Sequence, residues 1–251
     1  AGAAKELDRA AFQRMAQRCA EESIVLLEND GILPLTSGGR VAVVGEFAQR
    51  PRYQGAGSSK VNPTKVENLL DGLKAAGVNP AGFAKGYSHE SEAPDRQLIQ
   101  EAVKLCADAD VVLLCIGLDD RSEVEGMDRP HLELPASHRA LFEAVSRVNS
   151  NIVLVLSGGA PFCLPESKRF RAAVHGYLAG QAGGPAMAQV LTGLVNPSGK
   201  LGETWPLALE DTPCHRYYPG MGRTCEYREG LYVGYRYYDA VKVPVRYPFG
   251  H

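Results

Sequence analysis

One pattern narrows the choice of fold for this 251-residue chain more than any other. Short apolar runs rich in β-branched residues, at 41–44, 111–116 and 152–156, each end at a glycine or serine and are separated by longer stretches with helical spacing. No polar residue interrupts these runs, so they read as strands buried on both faces, as in parallel sheets. Strand, loop and helix repeated in this way imply a parallel sheet covered on both sides. The fold expected is therefore α/β: a three-layer sandwich with a mostly parallel sheet of about six strands flanked by helices.

The remaining segments fill in that outline. Asp8 is a candidate N-cap for a helix over 8–29, with Phe12, Met15, Cys19, Ile24 and Leu27 on its apolar face and Asn29-Asp30-Gly31 closing it. Further helices are expected at 64–76, at 95–107, from Pro135 to about 148, and from Gly183 to about 194. Weaker strands are expected at 80–87 and 172–178, and Asn196-Pro197-Ser198-Gly199 has the composition of a turn. Beyond Trp205 the alternation stops. Residues 206–251 hold most of the tyrosines and several prolines, which predicts an irregular aromatic-rich excursion packed on the main body. Residues 1–35 then form the opening helix and linker, and 1–251 a single domain.

The 27 basic and 29 acidic residues nearly cancel, leaving a net charge of -2 and no electrostatic footprint for nucleic acid or an anionic membrane. No apolar run approaches the roughly 20 residues that cross a bilayer. The six cysteines contain no C-x-x-C pair, and Cys19, Cys106 and Cys115 fall in apolar patterns, so reduced structural thiols and a cytoplasmic setting are expected. Cys214 and Cys225 are the one pair worth checking for a disulfide. The histidines are scattered without ligand spacing, so no metal and no organic cofactor is implied.

Two loops carry chemistry. Past the central run at 111–116 lie Asp119, Asp120, Glu123, Glu125 and Asp128, where open α/β sheets gather ligands, although a solvated acidic loop has the same composition. Past the run at 41–44 comes Tyr53-Gln54-Gly55-Ala56-Gly57-Ser58-Ser59-Lys60, in which glycines let the backbone approach a ligand and hydroxyls both donate and accept, as a polyol requires. A plain turn is the competing reading. Gly45 is followed by Glu46-Phe47-Ala48-Gln49, which lacks the glycines of a dinucleotide-binding fingerprint.

Six stretches in one order resemble the C-terminal α/β sandwich domain of glycoside hydrolase family 3. They are Glu22-Ser23-Ile24-Val25-Leu26-Leu27-Glu28-Asn29-Asp30-Gly31, the loop at 55–63, the segment 123–129, Asn196-Pro197-Ser198-Gly199-Lys200-Leu201, the segment 230–239 and Pro248-Phe249-Gly250-His251. Ala182 departs from the acidic residue expected after Gly180-Gln181. The resemblance implies the acid/base-bearing part of a retaining, exo-acting β-glycosidase of β-glucosidase type. Its substrate would be a β-linked glucoside or oligosaccharide, and its nucleophile an aspartate on an N-terminal barrel domain of the same protein.

By the same resemblance the acid/base is Glu125, with Glu123 as the fallback. Ser58, with Ser59 beside it, would touch the sugar, and Asp128 and Arg129 would form a loop-shaping ion pair. Retention requires two carboxyl groups about 5–5.5 Å apart, one ionised and one protonated. The lone tryptophan, Trp205, follows Glu203-Thr204 and not the Ser-Asp that would mark the nucleophile. A barrel before this segment and a fibronectin-type domain after it are therefore expected to be absent here, and the isolated segment to be inactive. A carbohydrate-binding or scaffold domain is the alternative, and a flavodoxin-like nucleotide sensor a more distant one.

Overall fold

The computed structural model describes residues 7–36, 38–220 and 222–251. Its centre is a six-stranded sheet of β1 (Val25–Asn29), β2 (Val41–Val44), β3 (Gly82–Ala84), β4 (Val111–Gly117), β5 (Ile152–Ser157) and β6 (Ala172–His175). The spatial order is β1-β6-β5-β4-β2-β3, parallel throughout except for β1, which runs antiparallel to β6. Helices α1 (Arg9–Ser23), α2 (Leu69–Ala75) and α5 (Gly183–Leu191) pack together, while α3 (Arg96–Ala107) packs on α4 (Ala136–Val145). The expected α/β sandwich is what the chain forms. Val43, Leu113, Leu114, Leu154 and Val174 are wholly buried at its centre.

Local chemistry sets the element ends. Asp8 accepts from the Ala11 amide at 2.9 Å and starts α1; Asn68 does the same for α2 through the Asp71 amide at 2.9 Å. Asp95 accepts from Gln97 and Leu98 at 2.8 and 3.1 Å and starts α3. Helix α2 is thus shorter than the predicted 64–76, because its cap lies at residue 68.

The predicted helix 8–29 is corrected by the structure. It stops at Ser23, and Val25–Asn29 becomes the edge strand β1, paired from Val25 opposite His175 to Asn29 opposite Ala172. The run Ile24-Val25-Leu26-Leu27 suits a strand as well as a helix face, and the open edge of β6 decides between them. Asn29 makes a turn and not a helix cap: its Oδ1 accepts from the Gly31 and Leu33 amides, each at 3.1 Å. Phe12, Met15 and Cys19, expected on a buried face, are exposed.

Four further expectations shift. Strand β6 ends at His175 because Tyr177 takes a left-handed backbone with φ of 50°. Strand β3 is only Gly82–Ala84, and α5 ends at Leu191. At 196–199 the chain forms no turn: Gly199 lies against β1's approach, its amide donating to the Ile24 carbonyl at 3.0 Å, and a Cβ there would sit 2.3 Å from the Ser23 carbonyl oxygen. That glycine serves a close backbone crossing.

The C-terminal excursion is more ordered than expected. It contains β7 (Trp205–Pro206), α6 (Tyr235–Val241) and β8 (Val245–Tyr247), with β7 and β8 antiparallel. Trp205 packs on Phe162, His175 and Tyr247. Tyr218, Tyr227, Tyr232 and Tyr235, by contrast, are exposed, so the expected role in packing holds for only part of the aromatic set. Cys214 and Cys225 are both free thiols. No helix among the described residues is long and apolar enough to cross a membrane.

Candidate active site

The chain leaves β2 toward β3 on one side and later runs from β4 to β5 and β6 on the other. The strand order therefore reverses between β2 and β4, and a crevice opens beyond their carboxyl ends. The loops that follow these two strands hold all the residues named from the sequence, and they meet. Ala56 forms a parallel β-bridge with Val124, and Gly57, at φ of 76°, brings its backbone against Glu125: a Cβ placed on it would be 3.4 Å from the Glu125 Cβ. Glycine permits that left-handed turn without strain.

Ser58 Oγ donates a hydrogen bond to Glu125 Oε2, joining residues 67 positions apart. Both side chains are exposed at the open edge of the sheet. Ser59 lies in the same turn, but its hydroxyl donates to the Ala56 carbonyl at 3.2 Å and closes the loop on itself. Beside this pair lies an open cleft of about 560 Å3, lined by Arg50, Arg52, Tyr53, Lys60, His89 and Arg121 among others.

The other acids of the loop are committed elsewhere. Both carboxylate oxygens of Glu123 accept from the Gly159 amide at 2.9 Å, and one stands 3.8 Å from the Arg52 guanidinium, so this side chain anchors the loop to the end of β5. Asp120 pairs with Arg52 at 2.8 Å and Lys60 at 2.5 Å. Burial pushes the Asp119 carboxyl up, but hydrogen bonds from Ser122 and the Arg121 guanidinium outweigh it and hold the group below the usual carboxylate range.

Among the described residues no ion pair joins Asp128 to Arg129, contrary to expectation. Asp128 accepts from the Tyr218 hydroxyl at 2.6 Å, and Arg129 donates to the Pro161 carbonyl at 2.7 Å. Burial lowers the pKa of Arg129 against the pull of Glu123 and Glu203. Behind the loops, Tyr87 donates to the Cys115 carbonyl at 2.8 Å and accepts from the Phe47 amide at 3.1 Å, fixing the ends of β2 and β4 to each other. Among the described residues no group of three or more His, Cys, Asp or Glu is placed to hold a metal ion.

Sequence reasoning passed over Arg52 and Tyr218. Arg52 directly precedes the glycine-serine loop, and an arginine wedged into Pro51-Arg52-Tyr53 between a buried strand and a turn was the available signal. Tyr218 had none, because its acceptor lies 90 positions away.

This arrangement of sheet and loops has close counterparts. The model of the Glycosyl hydrolase family 3 C-terminal domain matches residues 24–235. Thermostable beta-glucosidase B of Acetivibrio thermocellus is 43% identical over 249 residues, 98% of this chain and 33% of its own length. An exo-alpha-(1->6)-L-arabinopyranosidase of Bifidobacterium longum is 44% identical over 252 residues, 96% of this chain and 33% of its own. The crystal structure of the Bifidobacterium adolescentis GH3 beta-glucosidase superposes with a TM-score of 0.92 at 44% identity, covering 98% of this chain and 37% of that one. The chain spans about a third of the length of these curated relatives. It belongs to glycosyl hydrolase family 3 and corresponds to that family's C-terminal domain.

Proposed function

We propose that this chain is the acid/base-bearing domain of a retaining, exo-acting β-glycosidase of β-glucosidase type, working with a barrel domain of the same longer protein. The observation that carries the reading is the contact of Ser58 with Glu125, made where the loops after β2 and β4 meet at the carboxyl edge of the sheet. A carboxyl group needed by a second domain must stand clear of its own core, and Glu125 does. Its exposure is what docking against a sugar-holding barrel requires. Once enclosed by the barrel it would stand near the second carboxyl group that retention requires, about 5–5.5 Å away.

In the first half of the reaction the barrel's aspartate attacks the anomeric carbon, and Glu125 gives its proton to the departing glycosidic oxygen. In the second half the Glu125 carboxylate takes a proton from water, whose oxygen displaces the aspartate. Ser58 Oγ, a donor and an acceptor, can exchange its carboxylate partner for a sugar hydroxyl. The relatives support the class of reaction, and a β-glucosidase and an arabinopyranosidase at nearly equal identity indicate that likeness over this domain does not follow the sugar. A cytoplasmic setting fits six cysteines that are all free thiols.

The test is made in the barrel-bearing protein. Glu125→Ala should lower kcat/KM for a β-glucoside with a poor leaving group by about 100- to 10,000-fold. Azide should partly restore kcat on an activated aryl β-glucoside, because it replaces the water that no longer has a base. Unchanged kcat/KM ends the assignment.

A further inference from the structure

Glu125 and Ser58 are exposed, and neither is packed into a core that fixes where it stands. We infer that Arg52 is a positioning residue for the proton-donating carboxyl, holding the two loops in register without touching the sugar. The inference rests on the reading of Glu125 given above.

The side chain of Arg52 is 3% exposed, although it lies in a loop whose adjoining residues, Pro51 and Tyr53, are only half-buried. Its Nη1 donates to the carbonyl of Gln54, two residues on in its own loop, and stands 2.8 Å from Asp120 Oδ1 in the other. Its Nη2 donates to the Glu123 carbonyl at 3.3 Å and faces the Glu123 carboxylate at 3.8 Å. One planar cation thus spans the loop after β2 and the loop after β4.

The contacts extend outward from it in both directions. Glu123 passes the connection to β5 through the Gly159 amide, and Asp120 passes it back to the first loop through Lys60. Along the seam the order is Arg52 with Glu123, then Ala56 with Val124, then Ser58 with Glu125. The carboxyl proposed to carry the proton is the last rung of a ladder whose first rung is a buried arginine. Arginine suits the task because its nitrogens point in fixed, diverging directions. A lysine keeps the charge, but its three donors radiate from a single nitrogen and cannot span the same spread of acceptors.

Proton donation is sensitive to placement, so loosening the ladder should be felt most where the leaving group depends on the proton. In the barrel-bearing protein, Arg52→Lys should lower kcat/KM for methyl β-glucoside by about 10- to 100-fold, the scale of a displacement near 1 Å. For 2,4-dinitrophenyl β-glucoside, whose leaving group needs no proton, kcat/KM should change by less than about 3-fold. Asp120→Asn removes one arm of the clamp and should show the same selectivity at smaller size.

Equal losses on both substrates would make Arg52 a general support of the fold and overturn the inference, as would unchanged rates on both. In the 251-residue chain itself, Arg52→Lys should speed amide hydrogen exchange across 119–126 while leaving β4 unaltered. Unchanged exchange in that loop also overturns it. If Glu125→Gln leaves methyl β-glucoside turnover intact, the reading of Glu125 fails, and the exchange result still decides whether Arg52 holds the loops.

Discussion

Ser58 and Ser59 are neighbours in one turn, yet their hydroxyls are used differently. Ser58 spends its proton on a carboxylate across the loop junction, and Ser59 spends its own on the Ala56 carbonyl of its own turn. Removing the first should therefore affect ligand binding, and removing the second local stability. Ser58→Ala is expected to raise KM by about 5- to 10-fold with little change in folding, the size of one net hydrogen bond near 1 kcal/mol. Ser59→Ala is expected to lower stability by about 1 kcal/mol in urea unfolding with KM unchanged. Interchanged results would reassign the two roles. The two loops stand out in the sequence by composition, and the family resemblance alone singles out Ser58, Ser59 and Glu125 within them. Arg52 was not legible, since its work is done on Glu123, 71 positions further on, and no local pattern announces a contact at that range.

At the scale of elements, β1 shows what periodicity cannot decide. A run of four apolar residues satisfies a helix face and an edge strand alike, and the outcome depends on β6, which lies about 150 residues later and would otherwise be an open edge. The same strand also ties down the end of the chain. Glu28 accepts from Arg246 at 2.7 Å and from Ser167 at 3.1 Å, and it also accepts from the Tyr247 hydroxyl. Burial, and then this acceptor, raise the pKa of Tyr247. His251 Nε2 lies 2.8 Å from the Leu27 carbonyl, so β1 holds both β8 and the terminal turn. Glu28→Ala leaves three donors, from Arg246, Ser167 and Tyr247, facing a lost acceptor at a half-buried site, and should cost about 2 kcal/mol by urea denaturation. The exposed pair Arg18 with Glu22 provides the control, and its removal should produce no measurable change. Equal, negligible effects would show that β8 is held by apolar packing of Trp205 and Tyr247 alone.

For the molecule as a whole, the sandwich was legible because buried parallel strands leave uninterrupted apolar runs in the sequence, whereas the ordering of 206–251 depends on partners on β1 and β6 that composition does not reveal. The same burial has a thermodynamic consequence. His138 is 2% exposed, packed on Tyr87 and Phe47 at the end of β4, and His175 is wholly buried among Phe162, Tyr177 and Trp205. Burial pushes His138 down to about 4, opposed by its hydrogen bond to the Gly117 backbone and by Asp119, and pushes His175 down to about 3. In the unfolded chain both titrate near 6.5. Between pH 7 and pH 5 the unfolded chain therefore takes up two protons that the folded protein refuses, and stability falls as the solution is acidified. Each imidazole contributes about 2 kcal/mol over that interval, so about 4 kcal/mol should be lost in total. The depressed carboxyls of Asp119 and Glu46 act in the same direction but only at lower pH, where carboxylates begin to protonate, while the carboxyl of Glu203, raised by burial and by Glu123, acts in the opposite direction. Urea midpoints at pH 7 and pH 5 measure the loss, and His138→Asn should remove about half of it. A midpoint that does not move between those two pH values would mean that both rings are reached by water and accept their protons without unfolding.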